Sequence, residues 1–171
     1  MTNSRLDKVI AGYDAVDTVL QKIIVPLVVF LSLLVAGGLV LGIVLRSGFN
    51  TPMLGLEEII LFSVMWLYML GAALASRERS HLSADFAATF IRSARWRHRV
   101  HLLAGSISLV MVCAFVVWSY DLLAWGLTHQ QSTPVFQIPL YLSQGSMFCA
   151  SILFLFYVTR DMLNDIRGRQ S

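Results

Sequence analysis

The sequence is poor in charged residues. Only 13% of its 171 residues are Asp, Glu, Lys or Arg, whereas 57% are hydrophobic. Soluble domains usually carry about 25% charged residues. This shortage excludes a disordered chain, which stays unfolded through high charge and low hydrophobicity. It also excludes a coiled coil with charged flanking positions and a basic nucleic-acid-binding domain.

Cysteines and catalytic motifs are also scarce. The two cysteines, Cys113 and Cys149, form no C-x-x-C pair and fall within apolar segments, so we interpret them as small buried hydrophobic residues. The sequence has no phosphate-binding loop, no dinucleotide fingerprint, no H-E-x-x-H and no G-x-S-x-G. The four histidines lie near segment ends rather than in pairs at matching depth. We therefore predict no enzyme activity, no cofactor and no metal site.

Four long apolar segments dominate what the sequence does contain. A helix needs about 20 apolar residues to cross about 30 Å of hydrocarbon. The sequence predicts four such spans, over about residues 23–45, 57–76, 100–127 and 136–159. We expect residues 1–171 to form one all-α integral membrane domain with four transmembrane helices.

Two amphipathic segments accompany these spans. Residues 1–22 repeat apolar side chains at helical spacing, with the charges expected on the other faces. Residues 82–91 carry a second apolar stripe, followed by a run rich in arginine. Such segments are typical of interfacial helices that contact membrane lipids, so we expect both to lie along the membrane surface.

The distribution of basic residues predicts the topology. Twelve Lys and Arg residues fall in 1–22, 77–99 and 160–171, whereas the other two connections hold only Arg46. Cytoplasmic segments carry the excess of Lys and Arg. Both termini are therefore expected in the cytoplasm, as an even number of spans requires.

Several residues near the spans are candidates for a specific role. Glu57 and Glu58 open the second span, where carboxylates complement the helix dipole. Asp121 is the only acid well inside a span, and we interpret it as an interfacial acid close to the rim. Pro134 is expected in the third loop and Pro139 in the first turn of the fourth span. One off-centre acid is too little for a carrier acting alone, so the chain is expected to serve a larger partner.

A string of residues through the second span carries a family resemblance. It comprises Leu56-Glu57-Glu58, Trp66, Leu70-Gly71-Ala72-Ala73, Arg77, Arg79 and His81-Leu82-Ser83-Ala84-Asp85. Before the last span come Ser132-Thr133-Pro134 and Gln137-Ile138-Pro139. Together these resemble the small membrane subunit of tripartite ATP-independent periplasmic (TRAP) transporters, the DctQ-like family.

The resemblance implies a multi-pass subunit of a secondary transporter in the bacterial inner membrane. Its partners would be a large permease subunit and a periplasmic substrate-binding protein, with no nucleic acid. The complex would take up an organic acid by symport with an ion, in this family sodium. The small subunit would widen the static scaffold of the large one.

The positions of single residues also predict structural roles. We expect one of Glu57 and Glu58 to bind a cation or a backbone amide of the large subunit. His81 and Asp85 are four residues apart and can hydrogen-bond on a continuing helix. We expect them to fix a turn from the second span into the segment 82–91. Arg77 and Arg79 would suit the negative end of that span.

Three other functions compete with this interpretation. One is the four-span small subunit of a tripartite tricarboxylate transporter, which the string over residues 56–85 disfavours. The second is a membrane-anchor subunit of a redox complex, which the placement of the histidines disfavours. The third is a small exporter that acts alone, which the lack of an acid in the middle of a span disfavours.

Overall fold

In the computed structural model, the described residues form four α-helices. They are α1 (Thr2–Phe49), α2 (Leu56–Phe90), α3 (Ala94–His129) and α4 (Tyr141–Gly168). The structure describes the backbone of residues 2–49, 55–90 and 94–168, and the side chains of residues 12–13, 15–48, 55–77, 99–100 and 103–163. Each helix contains a stretch long and apolar enough to cross a membrane: Ala15–Gly48, Leu56–Arg77, Leu103–His129 and Tyr141–Leu163. The prediction of an all-α chain with four candidate spans is confirmed.

The amphipathic segments continue the spans instead of forming separate helices. Residues 2–22 belong to α1, which also runs through Pro26 without ending. Residues 77–90 contain neither glycine nor proline, and the backbone of α2 stays helical across them. The structure therefore has no turn at His81 and Asp85, whose side chains lie outside the described residues.

The helices pack side by side in the order α1, α2, α4, α3. α3 packs along α4, α4 along α2, and α2 along α1, whereas α1 meets α4 and α2 meets α3 over short stretches only. We call the end of this row with Gly48, Leu56 and residues 130–140 the loop end, and the opposite end the terminal end. α2 and α4 both run from the loop end to the terminal end, so these two neighbours are parallel.

Small residues let the neighbouring helices approach closely. A Cβ atom at Gly38 or Gly42 of α1 would meet Ile60 or Leu56 of α2. Between α3 and α4, the Ser119 hydroxyl donates to the Ser151 hydroxyl at 2.9 Å in a buried site. Close backbone approach and interhelical hydrogen bonds are what hold helices together in lipid, where hydrophobic burial adds little.

A row of helices leaves most apolar side chains on the outside. Leu33 of α1 is 68% exposed and Val110 of α3 is 67% exposed. The interpretation of Cys113 and Cys149 as buried is wrong, because both are exposed. The two cysteines are exposed because the helices pack in a single layer. In such a layer each helix contacts its neighbours only along its two sides.

Candidate functional site

The connection between α3 and α4 is an ordered loop, the outer loop (residues 130–140). Ser132 and Pro139 form an antiparallel bridge across its base. The Thr133 amide donates to the Ile138 carbonyl at 3.0 Å, and the Leu140 amide donates to the Gln131 carbonyl at 2.9 Å. Pro139 lies in this bridge, and α4 starts at Tyr141, five residues after the predicted start of the span.

Glu58 connects α2 to the tip of the outer loop. Its Oε1 atom accepts a hydrogen bond from the Val135 amide at 2.8 Å, and its Oε2 atom accepts one from the Phe136 amide at 3.0 Å. Both carboxylate oxygens thus accept hydrogen bonds from consecutive backbone amides at the tip of the loop. The expected backbone-amide partner exists, but it belongs to the same chain and not to another subunit.

The Phe136 ring covers the start of α2. It lies against Gly55, whose φ of +100° is in the region that favours glycine. A Cβ atom at Gly55 would collide with this ring. Two successive residues of the loop tip therefore contact the start of α2. Val135 and Phe136 both donate their backbone amides to Glu58, and the Phe136 ring also packs against Gly55.

A cavity of about 1210 Å³ opens beside this contact, at the loop end of the row. Its walls come from α1, α2, the outer loop and the start of α4 and are mainly apolar, with Leu39, Ile43, Leu61 and Met65 among them. Glu57 and Glu58 both line the cavity, but Glu57 is exposed whereas Glu58 is buried. The two neighbouring acids therefore have different surroundings.

A second polar group, the inner cluster (Asp17, Arg77 and Arg160), joins three helices near the terminal end. Arg77 of α2 donates from Nε to both carboxylate oxygens of Asp17 at 2.8 and 3.0 Å, and from Nη2 to Oδ2 at 2.9 Å. Arg160 of α4 donates from Nη1 to Oδ2 at 3.3 Å. One carboxylate of α1 thus binds a guanidinium from each of two other helices.

Aromatic side chains surround the inner cluster. Tyr157 of α4 is 1% exposed and Asp17 is 4% exposed. The rings of Tyr13 and Phe156 pack with their centroids 4.9 Å apart, which joins α1 directly to α4. In such a site the ion pair is costly to break, because the remaining charge stays buried without its partner.

The sequence analysis included Arg77 among the candidates but missed Asp17 and Arg160. It also placed the charges of residues 1–22 away from the apolar stripe, which is wrong for Asp17. Asp17 lies four residues after Tyr13 and three before Leu20, so it shares their face of α1. This spacing is the feature of the sequence that indicates on which face of α1 Asp17 lies.

The remaining candidates are dispersed along the chain. Trp66 packs against the apolar cluster of Ile24, Leu31 and Leu70. Gly71 has open space around it, and Pro134 is exposed in the outer loop. Asp121 is exposed on α3 and belongs to neither polar group. The side chains of Arg79, His81 and Asp85 lie outside the described residues.

Comparison with known families settles the class of the protein. Residues 35–168 match the family described as tripartite ATP-independent periplasmic transporters, DctQ component. The chain belongs to the DctQ family. A comparison with curated proteins yields no match.

Membership of the DctQ family confirms the resemblance carried by residues 56–85. The chain is the small membrane subunit of a TRAP transporter, and its family is one of transporter subunits rather than enzymes. Glu58, the outer loop, Arg77 and Arg160 lie within the matched region, whereas Asp17 precedes it.

Proposed function

We propose that this DctQ component is a rigid scaffold for the large permease subunit of its transporter. The complex takes up an organic acid together with sodium ions, and a periplasmic binding protein delivers the acid. The DctQ component lies in the bacterial inner membrane with both termini in the cytoplasm. It does not bind the substrate itself.

The observation that carries this proposal is the position of the two polar groups. Glu58 joins α2 to the α3–α4 loop at the loop end. The inner cluster joins α1, α2 and α4 at the terminal end. Held at both ends, the helices cannot slide past one another without breaking charge-assisted hydrogen bonds, which are about twice as strong as neutral ones. A scaffold needs this stiffness, whereas a carrier must move.

The exposed apolar surface supports a role beside a partner. The described part of each helix has large apolar side chains on its outer side, and a cavity of about 1210 Å³ remains open at the loop end. Lipid can cover much of such a surface, and a second membrane subunit can cover the rest.

The distribution of charge supports the orientation. The terminal end carries Arg77 and Arg160 together with the chain segments richest in Lys and Arg, and the loop end has Arg46 alone. The positive-inside rule assigns the terminal end to the cytoplasm. The outer loop then faces the periplasm, where a binding protein can reach it.

Reconstitution tests the proposed function. The permease subunit, the DctQ component and the binding protein encoded beside it are placed in liposomes, and uptake of radiolabelled organic acids is measured with and without a sodium gradient. We expect uptake to require all three proteins and the gradient. Isothermal calorimetry on the isolated DctQ component should show no saturable binding of the acid that the complex transports. Uptake by the permease without the DctQ component would contradict the scaffold role.

A further inference from the structure

Asp121 lies within the hydrocarbon depth of the membrane. The span Leu103–His129 has 27 residues and is about 40 Å long at 1.5 Å per residue. Centred on about 30 Å of hydrocarbon, it extends about 5 Å beyond each boundary. Asp121 is eight residues, or about 12 Å, from the end of α3, so it lies about 7 Å below the boundary. The short aspartate side chain does not reach the headgroups from there.

The packing of α3 against α4 gives the same distance of Asp121 from the loop end. The Tyr120 ring lies 6.0 Å from the ring of Phe148, centroid to centroid. Phe148 is the eighth residue of α4, two turns below its start. Asp121, the next residue after Tyr120, is therefore also about two turns below the loop end.

The carboxylate of Asp121 points away from the row. Ser119 faces α4 through its bond to Ser151, and Asp121, two residues further on, faces almost the opposite way. Asp121 is exposed, and within the part of the chain whose side chains are described it has no hydrogen bond or ion pair. Charged side chains within spanning helices are costly to insert, and they nearly always face protein or water.

Two tryptophans share the outward face of α3 with Asp121. Trp125 is one turn nearer the loop end, at the depth of the headgroup boundary where tryptophan is common. Trp118 is 66% exposed and lies deeper than Asp121, where lipid offers its indole N–H no acceptor. Contact with lipid would suit Trp125 at the headgroup boundary. It would leave the Asp121 carboxylate and the Trp118 indole N–H without a polar partner.

The opposite edge of the row, formed by α1, differs in composition from the outward face of α3. The outward face of α1 exposes Val29, Phe30, Leu33, Val40 and Ile43, all purely apolar. The one hydroxyl nearby, that of Ser32, donates to the Val28 carbonyl of its own helix at 2.8 Å. Over residues 27–45 of α1, Ser32 is the one polar side chain, so this part of the edge suits lipid.

We propose that the outward edge of α3, centred on Trp118 and Asp121, is the surface that packs against the large permease subunit. Asp121 pairs there with a lysine or arginine of a permease helix at the same depth. The edge formed by α1 faces lipid. This inference rests on the proposed function, since it requires the complex with the permease.

Site-specific photo-crosslinking in the assembled complex tests the proposal. A benzophenone amino acid replaces Trp118 in one variant and Leu33 in the other. Leu33 is the matched control, because it is 68% exposed and lies mid-span on the opposite edge. We expect a covalent adduct with the permease from position 118 and none from position 33. An adduct from position 33, or adducts with lipid only from position 118, would overturn the proposal.

Variants of Asp121 test the charge itself. Asp121→Asn should weaken co-purification of the two subunits by about 30-fold or more, the effect expected when one partner of a desolvated charge pair is removed. Asp121→Glu keeps the charge and should retain most of the assembly. Equal assembly of Asp121→Asn and wild type would overturn the charge pairing. Failure of the wild-type chain to co-purify with the permease would instead contradict the proposed function.

Discussion

Asp17 and Arg77, sixty residues apart in the sequence, form a two-pronged ion pair between α1 and α2. The planar guanidinium matches the carboxylate in geometry, which a lysine could not do. Arg160 of α4 binds the same carboxylate from another side at 3.3 Å. The three helices that meet here have only short direct contact between α1 and α4. The inner cluster therefore helps to fix the position of α1 relative to α4.

Asp17→Ala should destabilise the chain strongly. Removing the carboxylate takes away the shared acceptor of Arg77 and Arg160, whose side chains are 25% and 22% exposed. Losing hydrogen bonds to a buried charged group typically costs about 1–3 kcal/mol. We expect a clear fall in the thermal unfolding midpoint of the detergent-solubilised protein. Lys22→Ala, at an exposed charge on the same helix, is the matched control and should change stability by less than about 0.5 kcal/mol. Equal midpoints for the two variants would show that the inner cluster is not stabilising.

Glu58→Ala should loosen the outer loop, whereas Glu57→Ala should not. Only Glu58 accepts the amides of Val135 and Phe136. We expect hydrogen–deuterium exchange of these two amides to become about tenfold faster in Glu58→Ala, a change of the size that one lost hydrogen bond produces. Glu58→Gln keeps one carbonyl oxygen and should be intermediate. Faster exchange in Glu57→Ala to the same degree would contradict the assignment.

Gly55→Ala should destabilise the start of α2. Its φ of +100° is unfavourable for alanine, and the new methyl group would meet the Phe136 ring. Substituting alanine where φ is positive costs more than about 1 kcal/mol. Gly71→Ala, with open space and helical backbone, is the control and should be neutral or slightly stabilising. In the double variant Gly55→Ala/Phe136→Ala the steric conflict is gone but the backbone strain stays, so recovery in the unfolding midpoint should be partial.

Reporter fusions should place the loop end in the periplasm. Fusions at the N-terminus, within residues 85–95 and at the C-terminus should read as cytoplasmic, and fusions near Asn50 and Gln131 as periplasmic. The excess of basic residues at the terminal end is the reason. A periplasmic signal from the 85–95 segment would contradict the topology.

The four spans could be predicted because the thickness of the membrane dictates long uncharged stretches in the sequence itself. The start of α4 could not be placed as well, since Pro139 is tolerated both in a first helical turn and in the bridge that it forms with Ser132. Only one part of the Asp17 site could be predicted, namely the helix face on which Asp17 lies. Its spacing from Tyr13 and Leu20 gives its face, but nothing local indicates which cation reaches it.

Arg160 and the outer-loop contact of Glu58 depend on the order of the helices. Arg160 reaches Asp17 because α4 lies next to α2, and a sequence of four similar apolar helices does not specify that order. Asp121 is a different case. The sequence analysis placed it close to the rim, whereas the position of the end of α3 puts it about two turns from the loop end. Its outward direction follows only from the Ser119–Ser151 bond that orients α3 against α4.

The order of the helices also constrains when this protein can acquire its structure during synthesis. Of these four helices, α4 leaves the ribosome last, and it fills the middle of the row, between α2 and α3. Until residues 141–168 have been made, α3 has almost no native neighbour, and only the α1–α2 pair can assemble. A chain that ends before Tyr141 therefore loses more than its fourth helix. It leaves α3 without its main contact in the membrane, and we expect such truncated chains to be degraded while the full-length chain accumulates.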